Sequence, residues 1–284
     1  MRRVLLILAL LAVAVIVVLA LAGEPSETRY WVAGPLRLET LVTADAAERL
    51  GLGPTVPFDV APRDGPVVLH AAGRVVQVER RGSADVQATP IGDLADVSAL
   101  SIDDGGTVWI VRAGRAGMLD GGQVRELFAV PPGGRLELVA SPAGDRVYLF
   151  GREAPGELAR GFVVVDRTGR VERPVTTEEP VVAVAAGRDR VFFATPAAIY
   201  ALEGDELRLV VNLPEPLAVT SLAWDETNRV LLVATADAVF AMRGLVGVSI
   251  TRGLGGIVRT RGGTLYVLDP ARRVLVRITG LDRL

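Results

Sequence analysis

Residues 97–128 read VSALSIDDGGTVWIVRAGRAGMLDGGQVRELF, four short apolar runs separated by Asp, Gly, Arg and Ala. Residues 97–102 alternate as a half-buried strand does, and Asp103-Asp104-Gly105-Gly106 supplies a hairpin turn. Residues 107–111 form an apolar strand of β-branched and aromatic residues. Asp120-Gly121-Gly122 then turns the chain before residues 123–128. Four strands in about forty residues make one propeller blade.

Working outward, the second strand of this unit recurs as PVVLH from Pro66, TVWIV from Thr107, RVYLF from Arg146, RVFFA from Arg190, RVLLV from Arg229 and TLYVL from Thr264. Successive starts lie 41, 39, 44, 39 and 35 residues apart. The turns keep the same register, with a step of 16 residues from Gly105 to Gly121, Arg188 to Gly204 and Thr227 to Arg243. In the third unit the loop GREAPGELARG, residues 151–161, lengthens the step to 25. Six second strands predict six blades over residues 57–284. The last unit runs out of chain before its fourth strand. Because an open edge leaves backbone donors and acceptors unpaired, residues 30–42 (YWVAGPLRLETLV) are expected to close the ring as the missing strand. Residues 43–51 read as one short helix that Gly51 ends in the left-handed conformation.

Ahead of this lies an uninterrupted run of Val, Leu, Ile and Ala over residues 4–22. At roughly 1.5 Å per residue it reaches about 28 Å, close to the ~30 Å hydrocarbon core of a bilayer. Arg2 and Arg3 precede it and Glu24 and Glu27 follow, so a signal anchor would leave the N-terminus in the cytoplasm and the propeller outside, in the periplasm or at the cell surface. Ala20-Leu21-Ala22 offers a cleavage site for the rival reading, a removed signal peptide and a secreted protein, although signal cores are usually shorter. The expected organisation is therefore all-β: an anchor at 1–22, a linker, closing strand and helix at 23–56, and a six-bladed propeller at 57–284.

Composition narrows the chemistry. Thirty-one basic residues, all Arg, face 33 acids for a net charge of −2, which gives no positive field for nucleic acid. The absence of Cys excludes disulfides, thiolate metal sites and Cys nucleophiles. His70 is the only histidine, so no multi-His metal site can form, and it reads as a structural residue at a strand end. Asp93, Asp96, Asp103 and Asp104 form the densest carboxylate group, but Asp commonly opens turns and the spacing matches no calcium loop. Trp109 and Trp224 are expected to pack between blades, and the paired glycines lack the Lys-Ser/Thr of a phosphate loop. No cofactor, metal or catalytic residue is assigned on these grounds.

The elements SIDDGGTVWIV, ASPAGDRVYLF and LAWDETNRVLLVAT resemble those of six-bladed propellers of the NHL-repeat and SMP-30/strictosidine-synthase-like type, over about residues 57–284. That resemblance implies the fold. Some members are lactonases or esterases with a divalent ion on the central axis, held by a Glu, Asn side chains and an Asp. Here only Asn212 and Asn228 exist, one in a Pro-rich link and one in a hairpin turn, so neither matches an axial ligand. The first functional expectation is consequently a membrane-anchored module that binds a protein or an anionic ligand and does no chemistry. Its surface would be the face onto which the second-to-third-strand loops and the blade-to-blade links open, carrying Arg74, Arg112, Arg115, Arg152, Arg252, Arg272 and Arg273. The alternative is a hydrolase of the lactonase or esterase type with a rearranged site.

Overall fold

The computed structural model describes residues 31–53, 56–63, 65–81, 85–130, 135–152, 160–214, 217–244 and 246–284. Six antiparallel sheets follow one another along the chain, each a meander running from an innermost to an outermost strand. They form a six-bladed β-propeller. The innermost strands are Phe58–Val60, Val97–Ile102, Arg135–Ala140, Ala183–Ala186, Ser221–Asp225 and Ile257–Arg261. The second strands are Val67–Ala71, Val108–Arg112, Arg146–Arg152, Val191–Ala194, Val230–Ala234 and Thr264–Asp269. The latter are apolar along nearly their whole length because each sheet is covered on both faces by the neighbouring blades.

Asp makes the turns. Asp103 Oδ1 accepts the Thr107 N–H at 2.9 Å and Asp166 Oδ1 accepts those of Thr168 and Arg170. Asp225 Oδ1 takes the Thr227 N–H at 3.0 Å. Each carboxylate thus satisfies donors that a tight hairpin leaves open.

Aromatic side chains fill the seams between blades. Phe162 of the third blade meets Phe193 of the fourth edge to face at 5.4 Å, and Phe192 packs on Trp224 of the fifth at 4.9 Å. A fully buried Phe contributes about 1.5–3 kcal/mol by area alone, so these seams hold the ring as much as any hydrogen bond does. Trp109 is fully buried. Polar clasps cross the seams near the axis. Asp59, only 4% exposed, accepts the Ser101 hydroxyl at 2.9 Å and the Ile102 N–H at 2.7 Å, while Ser101 Oγ accepts the Ala140 N–H at 3.0 Å. Blades one, two and three are tied by that relay. Blades five and six are joined by Val258 N–H to Ser221 Oγ at 3.3 Å and by the Thr260 hydroxyl to the Trp224 carbonyl at 2.9 Å.

The expected closing strand at 30–42 is two strands among its described residues, 31–42. Trp31–Val32 pairs with Val246–Arg252 and adds a fifth strand to the fifth blade, whereas Arg37–Val42 pairs with Val274–Thr279 and completes the sixth. Gly34-Pro35 is the physical reason: the chain turns there, with Leu36 N–H on the Ala33 carbonyl at 2.9 Å, and proline has no N–H to continue a ladder. The helix covers Ala44–Leu50, capped by Thr43, whose hydroxyl accepts the Ala46 N–H, and by Gly51 at φ 68°. Among the described residues no helix is long and apolar enough to cross a membrane. The expected anchor at 1–22 and most of the long loop at 151–161 lie outside the described residues.

Candidate functional site: a cavity on the propeller axis

A cavity of about 290 Å³ opens where the innermost strands end, and all six blades line it. Size and composition suit a small ligand, with an apolar wall and a few convergent polar groups. The wall is Val139, Val184, Ala186, Ala223 and Trp224; the polar groups come from the first-to-second-strand turns and from the sixth blade.

Asp104 is the hub of the mouth. It reaches from the second blade to the fourth, accepting Arg188 Nη2 at 3.1 Å, and to the sixth, accepting Arg261 Nη1 at 2.8 Å. Arg261 also donates to the Ile102 and Val60 carbonyls and stands 3.9 Å from Asp59. The buried acids are committed: Asp59 as described above, and Asp225, 2% exposed, to Thr227 N–H and the Asn228 amide. Glu226, on the turn of the fifth blade, is exposed. Its Oε1 accepts the Arg188 N–H at 2.6 Å, and its Oε2 takes no hydrogen bond from a described residue. Room for this carboxylate depends on Gly187, where a Cβ would stand 2.9 Å from Oε1. Trp224 Nε1 is buried without a hydrogen-bond partner among the described residues. A buried indole N–H without an acceptor is uncommon.

The donors do not fit an axial divalent ion. Among the described residues no three His, Asp or Glu gather to hold one. Asn228 donates its amide N–H to Asp225 at 2.7 Å and does not line the cavity, and Asn212 closes the outermost strand of the fourth blade opposite Ala198.

The arginines expected to bind lie on the opposite face, and the structure does not bring them together. Arg74 pairs with Asp93, and Arg115 with Glu126. Arg112 donates to the Ala95 carbonyl, Arg252 lies over the Trp31 ring at 5.1 Å, and Arg272 holds the buried Asp269 at 2.7 Å. Arg273 occupies a turn at φ 55°, and the Arg152 side chain lies outside the described residues. His70 Nε2 meets the Leu94 carbonyl at 2.9 Å. The acidic group separates as well, Asp93 and Asp96 falling on this rim while Asp104 lines the axial cavity and Asp103 holds the turn beside it. Two clefts outside the axis, of about 440 and 390 Å³, are larger. The second is lined by Glu39, Arg80 and Arg277, which pair with one another, and the first draws only on the fifth blade and the link before it. Volume alone therefore does not single out a site; convergence of polar side chains from five of the six blades does.

Reading the surface from its loops missed the axial residues. The signal was IVRTR, the innermost strand of the sixth blade, where two arginines, Arg259 and Arg261, alternate with Val258 and Thr260.

No protein-family model matches the chain, and no curated protein matches it in sequence. Solved structures do match in fold. A gluconolactonase from Xanthomonas campestris aligns with a TM-score of 0.64 at 13% identity, covering 87% of this chain and 91% of that one. A protein provisionally assigned as a gluconolactonase aligns at 0.59 and 14% identity, over 90% and 96% of the two chains. One provisionally assigned as an oxidoreductase (glucose dehydrogenase) from Thermus thermophilus aligns at 0.57 and 15%, over 86% and 99%. The likeness carries the fold and agrees with the resemblance to the SMP-30/gluconolactonase-like propellers. It overturns the expectation of a membrane-anchored binding module without chemistry, because these three structures are named for enzymes and the convergent cavity is not on the arginine rim.

Proposed function

We propose that the chain is a hydrolase that takes a small, oxygen-rich lactone or ester into the axial cavity. The observation that carries this reading is the cavity's make-up. Carboxylates and guanidiniums converge on it beside an indole, offering acceptors, donors and an apolar face together, which suits a polyhydroxylated molecule better than an extended protein surface. Glu226 is the base of this reading. With one oxygen held by the Arg188 N–H and the other unengaged by any described residue, it is placed to take a proton from a water that attacks the ester carbonyl. The arginines supply fixed positive groups near the oxygen on which charge develops. No step is drawn through a metal, since the donors present do not fit one.

The test is turnover of aldonolactones and small aryl esters by the purified protein, monitored by acid release. The wild type should hydrolyse at least one, and Glu226→Gln should lower kcat by about 10²-fold or more with the melting temperature unchanged. Hydrolysis unaffected by that substitution sinks the assignment. Export of the propeller is part of the proposal and rests on the apolar run at 4–22 after Arg2-Arg3. Protease added to spheroplasts should digest it; full protection of the chain speaks against export.

A further inference from the structure

Arg259 occupies the waist of the axis. It lines the wide cavity and also a narrow one of about 30 Å³ that approaches from the other face beside Phe58, Ser98, Glu137 and Ile257. Its guanidinium lies 5.7 Å over the Phe58 ring, and its Nη1 donates to the Val258 carbonyl at 2.8 Å. It is the half-buried arginine of the cavity that forms no ion pair with a described residue; Arg188 and Arg261 are both taken by Asp104. Of the buried acids on the wide side, Asp59 is engaged by Val60, Ser101 and Ile102, and Asp225 by Thr227 and Asn228. An arginine presents five N–H donors in a planar fork that matches a carboxylate. A half-buried guanidinium that forms no ion pair with a described residue keeps N–H donors that a ligand carboxylate can take.

We propose that Arg259 is the anchor for a carboxylate at the waist of the channel. The ligand class is a small hydroxylated carboxylic acid, the acid that hydrolysis of a lactone or ester releases. The inference rests on the hydrolase reading for the identity of the acid and on Arg259 alone for the position of its charge. It makes Arg259 the residue that sets which end of the molecule enters first.

Calorimetric titration tests it with sodium gluconate, sodium succinate and, as the uncharged counterpart, sorbitol. The wild type should bind at least one of the two carboxylates saturably and sorbitol at least tenfold more weakly. Arg259→Gln should weaken the carboxylate at least tenfold, Arg259→Lys should recover part of the loss, and Arg112→Gln on the opposite rim should change nothing. Equal binding of sorbitol, unchanged carboxylate binding by Arg259→Gln, or no saturable binding of either carboxylate overturns the proposal. Should Arg259→Gln fail to fold, gluconate must slow phenylglyoxal modification of wild-type Arg259, read by peptide mass mapping, while sorbitol does not; absence of protection overturns it equally. Carboxylate binding that depends on Arg259 in a protein that hydrolyses no lactone fails the hydrolase reading alone. Glu226-dependent hydrolysis with carboxylate binding indifferent to Arg259 fails this inference alone.

Discussion

Asp59→Ala should be among the most damaging single substitutions in the ring. The carboxylate is 4% exposed and accepts from Val60 N–H, Ser101 Oγ–H and Ile102 N–H at 2.7–2.9 Å. Removal leaves two donors of the second blade buried without an acceptor, at about 1–3 kcal/mol each. Arg261, 3.9 Å away, also loses a counter-charge while keeping Asp104. Relief of a buried carboxylate's desolvation offsets part of this, and the net loss comes to about 3–5 kcal/mol. At about 2–4 °C per kcal/mol for a domain of this size, the melting temperature should fall by about 10 °C. Asp59→Asn retains one acceptor oxygen but turns an amide N–H₂ toward a donor, and should cost about half as much. Urea unfolding followed by circular dichroism reads both values. A loss below about 1 kcal/mol for Asp59→Ala would show that the relay through Ser101 does not tie the first three blades together.

Two further outcomes follow from the closing strand and the turns. A chain beginning at Thr43 lacks Arg37–Val42 and the Glu39 carboxylate that Arg80 and Arg277 share, so it should be insoluble or melt at least about 10 °C below a chain beginning at Trp31; equal melting temperatures would make the stretch dispensable. Burial pushes the Asp145 carboxyl up, but the Ser141 hydroxyl and Arg146 outweigh it and hold the pKa below the ordinary 3.8. A folded-state pKa below the unfolded one stabilises above the unfolded value and fades as pH falls through the folded one. Asp145→Asn should therefore lower the melting temperature at pH 6, and the difference should shrink as the pH falls below the ordinary 3.8; a constant difference across that range would refute it.

The ring was legible in the sequence because its signal is local and repeated. RVYLF, RVFFA and RVLLV had to be second strands, since apolar residues on both faces need a blade on either side. The break of residues 30–42 between two blades was written in Gly34-Pro35, although which sheet each half joins is a long-range choice that no local pattern encodes. The site was not legible for a related reason. Alternation along a strand distinguishes the two faces of a sheet, and it does not say which end of a six-fold ring collects its polar groups. Asp104, Arg188 and Arg261 meet only because the second, fourth and sixth blades face one another across the axis, 84 and 157 residues apart in the chain. Loop length and arginine number drew attention to the rim instead, where the side chains form separate local pairs.

The claim that function resides on the axis is tested most directly by comparing two variants in one hydrolysis assay: Glu226→Gln in the cavity, and Arg112, Arg115 and Arg273 together replaced by Gln on the opposite rim. Activity lost in the first by about 10²-fold and retained within about twofold in the second is the predicted result. Loss in the rim variant with the cavity variant at wild-type activity would contradict the account.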